Sequence, residues 1–77
     1  MNNARRRRIE NVQEKIAELL CEIDEIRNEE QEAFENLPES LQETERGEHM
    51  QAACDALDEA YSNLESVDDS LIEALES

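Results

Sequence analysis

Between Ile9 and Ile26 the apolar positions are Ile9, Val12, Ile16, Leu19, Ile23 and Ile26, alternately three and four residues apart. That spacing returns to one side of an α-helix every two turns, so the stretch reads as a heptad seam. The series continues through Glu30 and Ala33 to Leu37, and Leu20 and Phe34 widen it on one side. It predicts a first helix from about residue 4 to residue 36, ~50 Å long at the standard rise. A second seam consists of Met50, Leu57, Leu64 and Leu71, seven residues apart. Ala53, Ala60, Val67 and Ala74 flank it on one side, and Cys54, Tyr61, Asp68 and Leu75 on the other. This predicts a second helix from about residue 44 to residue 75, ~48 Å long.

Residues 37–43 are the expected turn. The stretch "ENLPESLQETERGEHM" holds the chain's one proline, one glycine and one histidine. A residue before proline avoids the helical region, so Leu37 is expected to end the first helix. "PES" makes the bend, and "SLQE" or "TERG" offers a Ser or Thr cap for the second helix. Gly47, early in that helix, costs about 1 kcal/mol relative to alanine unless close packing repays it. Two helices of equal length joined by a short turn should fold back antiparallel.

With the bend near Ser40, Ile9 faces Leu71, Ile16 faces Leu64 and Ile23 faces Leu57. Ala53, Ala60 and Ala74 would let the helices approach closely against Val12, Leu19 and Ile26, and Glu30 facing Met50 is the weak layer. The second helix carries an apolar face three columns wide, more than one partner helix covers. The fold expected is therefore all-α: one domain, residues 1–77, forming a two-helix antiparallel coiled-coil hairpin that dimerises into a four-helix bundle. Met50, Leu57, Leu64 and Leu71 are the candidate oligomer interface. A foreign protein could cover the same face instead.

Composition removes most other classes. With 77 residues, one Phe, one Tyr and no Trp, a ligand-sized cavity inside a three-layer core is not expected. The formal charge of −15 excludes an ordinary nucleic-acid binder, which needs a basic footprint, and disfavours anionic membranes. No apolar run approaches the roughly 20 residues that span a bilayer. "MNNARRRR" has no apolar segment after it, so it is not read as a signal peptide. Cys21 and Cys54 form no metal-binding spacing and are expected to be reduced thiols, which places the chain in a cytoplasm. No catalytic constellation is present. His49 lies beside the turn with no nucleophile placed near it, "CEIDEIRNEE" lacks the glycine and ligand spacing of a calcium loop, and one glycine permits no phosphate loop. Neither an enzyme nor a cofactor is expected.

The charges are uneven. Arg5 to Arg8 supply four of the seven basic residues, and the chain beyond them carries −19. Along the first helix Glu10, Glu14, Glu18, Glu22, Glu25, Glu29 and Glu32 follow at three- or four-residue spacing. Each such like-charge pair costs an isolated helix about 0.2–0.5 kcal/mol. The ladder is open to three readings: a solvated face that confers solubility, a specific protein-docking face, or a nucleic-acid mimic. One charge per ~2.6 Å compares with one per about 1.7 Å for duplex DNA. Glu14, Glu18, Glu22, Glu25 and Glu29 are the candidate mimic residues. Phe34 and Tyr61, the two aromatics, and Leu41, off both seams, are the candidate docking anchors. The arginine run opposes the helix dipole, and pairing with Glu73 or Glu76 would account for it, with a basic anchor as the alternative.

The run "EEQEAFENLPESLQETERGEHMQAACDALDEA", Glu29 to Ala60, resembles small uncharacterised proteins of bacteriophages and prophages of Gram-positive gut and soil bacteria. In those a long acidic helix leads into a "NLPESLQ-S/T-ERGE" turn and an alanine-rich helix. The resemblance covers the turn closely and the flanking helices by pattern. It implies a mobile-element origin, a host-cell cytoplasmic location and a helical hairpin, with no functional residues to carry over. Small acidic phage proteins often bind and block host proteins, including antiviral-defence and CRISPR components. The expected function is thus protein binding, with inhibition of a host protein that has a basic or apolar groove. The alternative is a homo-oligomeric structural or adaptor coiled coil with no inhibitory role.

Overall fold

The computed structural model describes residues 1–77 and contains three helices and no strand: α1 (Asn3–Glu35), α2 (Glu39–Gln42) and α3 (Glu45–Glu76). The two long helices, 33 and 32 residues, pack antiparallel as a rod 58 Å long and 16 by 12 Å across. The sequence places both long helices within a residue or so of their observed ends. It misses α2, a single helical turn inside the expected linker.

Each end has a local cause. The Asn2 side-chain oxygen accepts from the Arg5 amide at 2.8 Å, capping α1. At the other end the Asn36 and Leu37 amides close the last turn onto the carbonyls of Glu32 and Phe34. Pro38 then offers no donor, and its preset φ starts α2, whose Leu41 and Gln42 amides bond back to the Pro38 carbonyl. Gln42 closes the bend: its side-chain amide donates to the Leu37 carbonyl at 3.0 Å and the Phe34 carbonyl at 3.5 Å, supplying partners for carbonyls at the end of α1. Thr44 occupies the N-cap position of α3, but its hydroxyl donates backward to the Leu41 carbonyl at 2.5 Å and caps no α3 amide. Glu45 and Glu48 in the first turn complement the positive end of the helix instead.

Gly47 is buried against the backbone of Gln42. A β-carbon built there would stand 2.7 Å from Gln42 Cα and closer still to its carbonyl. Close packing is therefore why a residue with poor helix propensity sits in α3.

The seam departs from the sequence reading on the α1 side. Ile9, Ile16 and Ile23 turn inward as expected, but their companions are Gln13, Leu20, Arg27 and Phe34, all half-buried. Val12, Leu19 and Ile26 stand 43%, 47% and 45% exposed. Relative to expectation, α1 is rotated about its axis. From α3 the inner columns are Met50, Leu57, Leu64 and Leu71 together with Gly47, Cys54, Tyr61, Asp68 and Leu75. The fully buried core is small: Ile16 (5% exposed) and Cys54 (4%) are its hydrophobic members.

Two polar links fix the pairing. Arg6 donates to the Leu75 carbonyl at 2.6 Å, satisfying the last turn of α3, which has no basic residue of its own. This corrects the expected pairing of the arginine run with Glu73 or Glu76. At mid-seam the Arg27 guanidinium lies 4.1 Å from the centre of the Tyr61 ring and bridges Asp24 at 2.9 Å and Asp58 at 3.4 Å. A charge stacked on an aromatic face and held by two carboxylates tolerates little sliding.

Candidate functional site

The rotation of α1 sorts the hairpin surface into unlike faces. In an antiparallel pair, the local two-fold relating the helices runs normal to the plane they share. Equivalent flanking columns therefore lie on the same face of the hairpin. The column Val12, Leu19, Ile26 and Ala33 of α1 and the column Ala53, Ala60, Val67 and Ala74 of α3 each stand one position before the inner residues Gln13, Leu20, Arg27 and Phe34 or Cys54, Tyr61, Asp68 and Leu75. They form one apolar strip along the rod, with Val67 48% exposed. The next column of α3 on this side, His49, Ala56, Asn63 and Ser70, contains no acid. No acidic residue of α3 lies on either of these two columns, although the chain has 22.

The acids occupy the other sides. Glu14, Glu18, Glu22, Glu25 and Glu29 are all exposed, along the part of α1 turned away from α3. On α3, Asp55, Asp58, Glu59, Glu65, Asp69 and Glu73 are exposed as well. The expected ladder is thus continuous on the outer surface, with Glu22 and Glu29 bordering the apolar strip.

The other expected site residues divide differently. Met50, Leu57, Leu64 and Leu71 are half-buried in the hairpin's own seam, and the exposed apolar surface lies beside them. Phe34 and Tyr61 are also half-buried within the seam, and Arg27 covers the Tyr61 ring. Leu41 stays 41% exposed on the turn. Val12, Leu19 and Ile26 were read as hairpin core, so their place on the open strip was missed. The signal was present in Leu20 and Phe34, which offered a second apolar flank for the same isoleucines.

At the N-terminal end of the strip an open cleft of about 520 Å³ is lined by Ile9, Val12 and Leu71, by Arg5, Arg8 and Lys15, and by Met1 and Asn11. No cluster of three or more His, Cys, Asp or Glu side chains is arranged to hold a metal ion. No helix is long and apolar enough to cross a membrane. His49 is exposed and lies 3.8 Å from Glu45.

The cysteines are unlike each other. Cys21 is exposed and Cys54 buried. Burial pushes the Cys54 thiol above its ordinary value, and the negative charges of Glu30, Asp55 and Asp58 push it in the same direction. A thiol kept protonated and covered is a poor nucleophile. In the native protein a water-soluble disulfide reagent should modify Cys21 readily and Cys54 at least about tenfold more slowly. Peptide mapping after timed labelling checks this, and equal rates would show that the seam opens freely.

Comparison with protein-family models, with curated proteins and with solved structures finds no match to this chain.

Proposed function

We propose that the hairpin is a non-enzymatic protein-binding module of phage or mobile-element origin that occupies a basic groove on a host protein and blocks it, in the manner of a nucleic-acid mimic. The observation that carries this reading is the segregation of charge. The acids form continuous exposed rows along the outer sides of a rod 58 Å long, and one strip is kept nearly free of them. A merely solubilising charge would not need such separation. Rows of carboxylates at helical spacing present regularly placed negative charge to a surface that ordinarily meets phosphates. Antiviral-defence and CRISPR components, which small acidic phage proteins often block, are the class of host protein this proposal names by analogy.

A second reading is favoured by the apolar strip itself. Exposed apolar side chains that continue along a small protein mark an association surface, and two hairpins joined there would form a four-helix bundle. The readings are compatible, because a dimer through the strip leaves most of the acidic rows outward.

The test uses the wild-type hairpin and a triple variant, Glu14→Lys, Glu18→Lys and Glu25→Lys, each immobilised and exposed to lysate of a bacterial host. Wild type should retain a basic protein that is released by rising salt and displaced by duplex DNA, and the triple variant should lose it. Each single reversal should cost little, because the charges share the load. Retention that is indifferent to salt and to duplex DNA would sink the mimic reading.

A further inference from the structure

We infer that the apolar strip is the contact surface for a second copy of this chain, and that the two copies pair α1 against α1 in antiparallel register about a two-fold axis near Leu19. This rests on the dimer reading above and specifies its face, orientation and ion pairs. The hairpin alone buries a very small core, with Ile16 and Cys54 as its fully buried hydrophobic side chains. Val12, Leu19, Ile26 and Val67 remain outside. Chains of this size normally need a further source of burial.

Charge identifies the occupant. The α1 column bordering the strip reads, in chain order, Arg8, Lys15, Glu22 and Glu29, all exposed and seven residues apart. One half is basic and the other acidic. A two-fold axis perpendicular to α1 between Lys15 and Glu22 reverses the second copy. Lys15 then stands opposite Glu22 of the other chain, and Arg8 opposite its Glu29. Each ion pair occurs twice, once on either side of the axis. The same operation places Leu19 near its own symmetry mate and Val12 near Ile26, so the apolar column is self-complementary in the same register. On α3 it brings the acid-free face around Ala60, Asn63 and Val67 against its own counterpart, with no carboxylate buried between them.

The cleft fits this arrangement. Its lining mixes apolar Ile9, Val12 and Leu71 with basic Arg5, Arg8 and Lys15, where the other copy's Ile26 and Glu29 would arrive, an apolar side chain and an acid one helical turn apart. A parallel arrangement of the two α1 helices in register would instead set Arg8 and Lys15 beside their own copies and Glu22 beside Glu22. Like charges facing one another suppress that alternative.

The test is sedimentation of the full chain at micromolar concentration, with circular dichroism confirming that each variant stays helical. Wild type should sediment at twice the 8.9 kDa chain mass. Reversing Arg8→Glu with Lys15→Glu, or Glu22→Lys with Glu29→Lys, should each weaken self-association by on the order of tenfold or more, because every reversal acts twice. All four reversals together should restore it. Leu19→Cys in a Cys21→Ser background should also form a disulfide-linked dimer on mild oxidation. A monomeric wild type would overturn both the dimer and this register. A wild-type dimer that is indifferent to the paired reversals, is not restored by the fourfold variant and fails to cross-link at residue 19 would overturn the register and leave dimerisation standing on another face.

Discussion

Replacing Ile16 with alanine should cost about 3 kcal/mol of folding stability, a large share of what a hairpin this small can hold. Ile16 is 5% exposed and is the one large aliphatic side chain in the fully buried core. Its removal leaves a void between α1 and α3 that neighbouring side chains on two stiff helices fill poorly. The matched control is Leu19→Ala, three residues along. In the sequence the two positions read alike, but Leu19 is 47% exposed on the open strip. Its truncation should cost an isolated hairpin well under about 1 kcal/mol. Any larger effect of Leu19→Ala should depend on protein concentration, because it would act through association, whereas the Ile16→Ala loss should persist at every dilution. Denaturant titration of both variants at two protein concentrations decides the matter. Equal, concentration-independent losses would restore Val12, Leu19 and Ile26 to the hairpin's own seam.

Gly47 is the second position where a small change should have a large effect. On propensity alone, Gly47→Ala ought to stabilise α3 by about 1 kcal/mol. The added methyl would instead meet the Gln42 backbone, 2.7 Å from its Cα and nearer still to its carbonyl, and a carbonyl fixed in a helical turn cannot swing aside as a side chain can. We expect a net loss of about 1–3 kcal/mol for alanine, the usual cost of overpacking, and more for valine, whose branch adds to the collision. Gln42→Ala should not rescue Gly47→Ala, since the obstructing atoms are backbone. That substitution should carry its own smaller cost from the lost bonds to Leu37 and Phe34. Thermal melts of the single and double variants test this. A stabilised Gly47→Ala would mean that α2 can move away from the start of α3 at little cost.

The helices and their fold-back were legible because they depend on periodicity and on one proline. Apolar residues alternately three and four apart select a helix whatever packs against it, and Pro38 removes a donor and disfavours helix at the residue before it. The equal lengths on either side then leave the antiparallel hairpin as the short-linker solution. The exposed glutamate rows were legible for the same reason, since spacing alone puts Glu14, Glu18, Glu22, Glu25 and Glu29 on neighbouring turns. Leu41 was readable as an exposed turn residue because it falls off both seams.

The rotation of α1 was not legible. Ile9, Ile16 and Ile23 have an apolar flank on either side, and a one-dimensional pattern ranks Val12, Leu19 and Ile26 above Gln13, Leu20, Arg27 and Phe34 because they are uniformly apolar. Tertiary packing ranks them by what stands opposite. Tyr61 of α3 is bulky and lies against Arg27, whereas Ala53, Ala60 and Ala74 offer the other flank little to bury. The guanidinium of Arg27 reaches Asp24, Asp58 and the Tyr61 ring at once, so a charge can occupy a seam position that the pattern reserves for an apolar residue. Sequence periodicity determined that there are two long helices and which rows of side chains lie along each. Only the packed pair decided which row turns inward and which is left on the surface, because that choice depends on the size and hydrogen-bonding reach of residues thirty or more positions away.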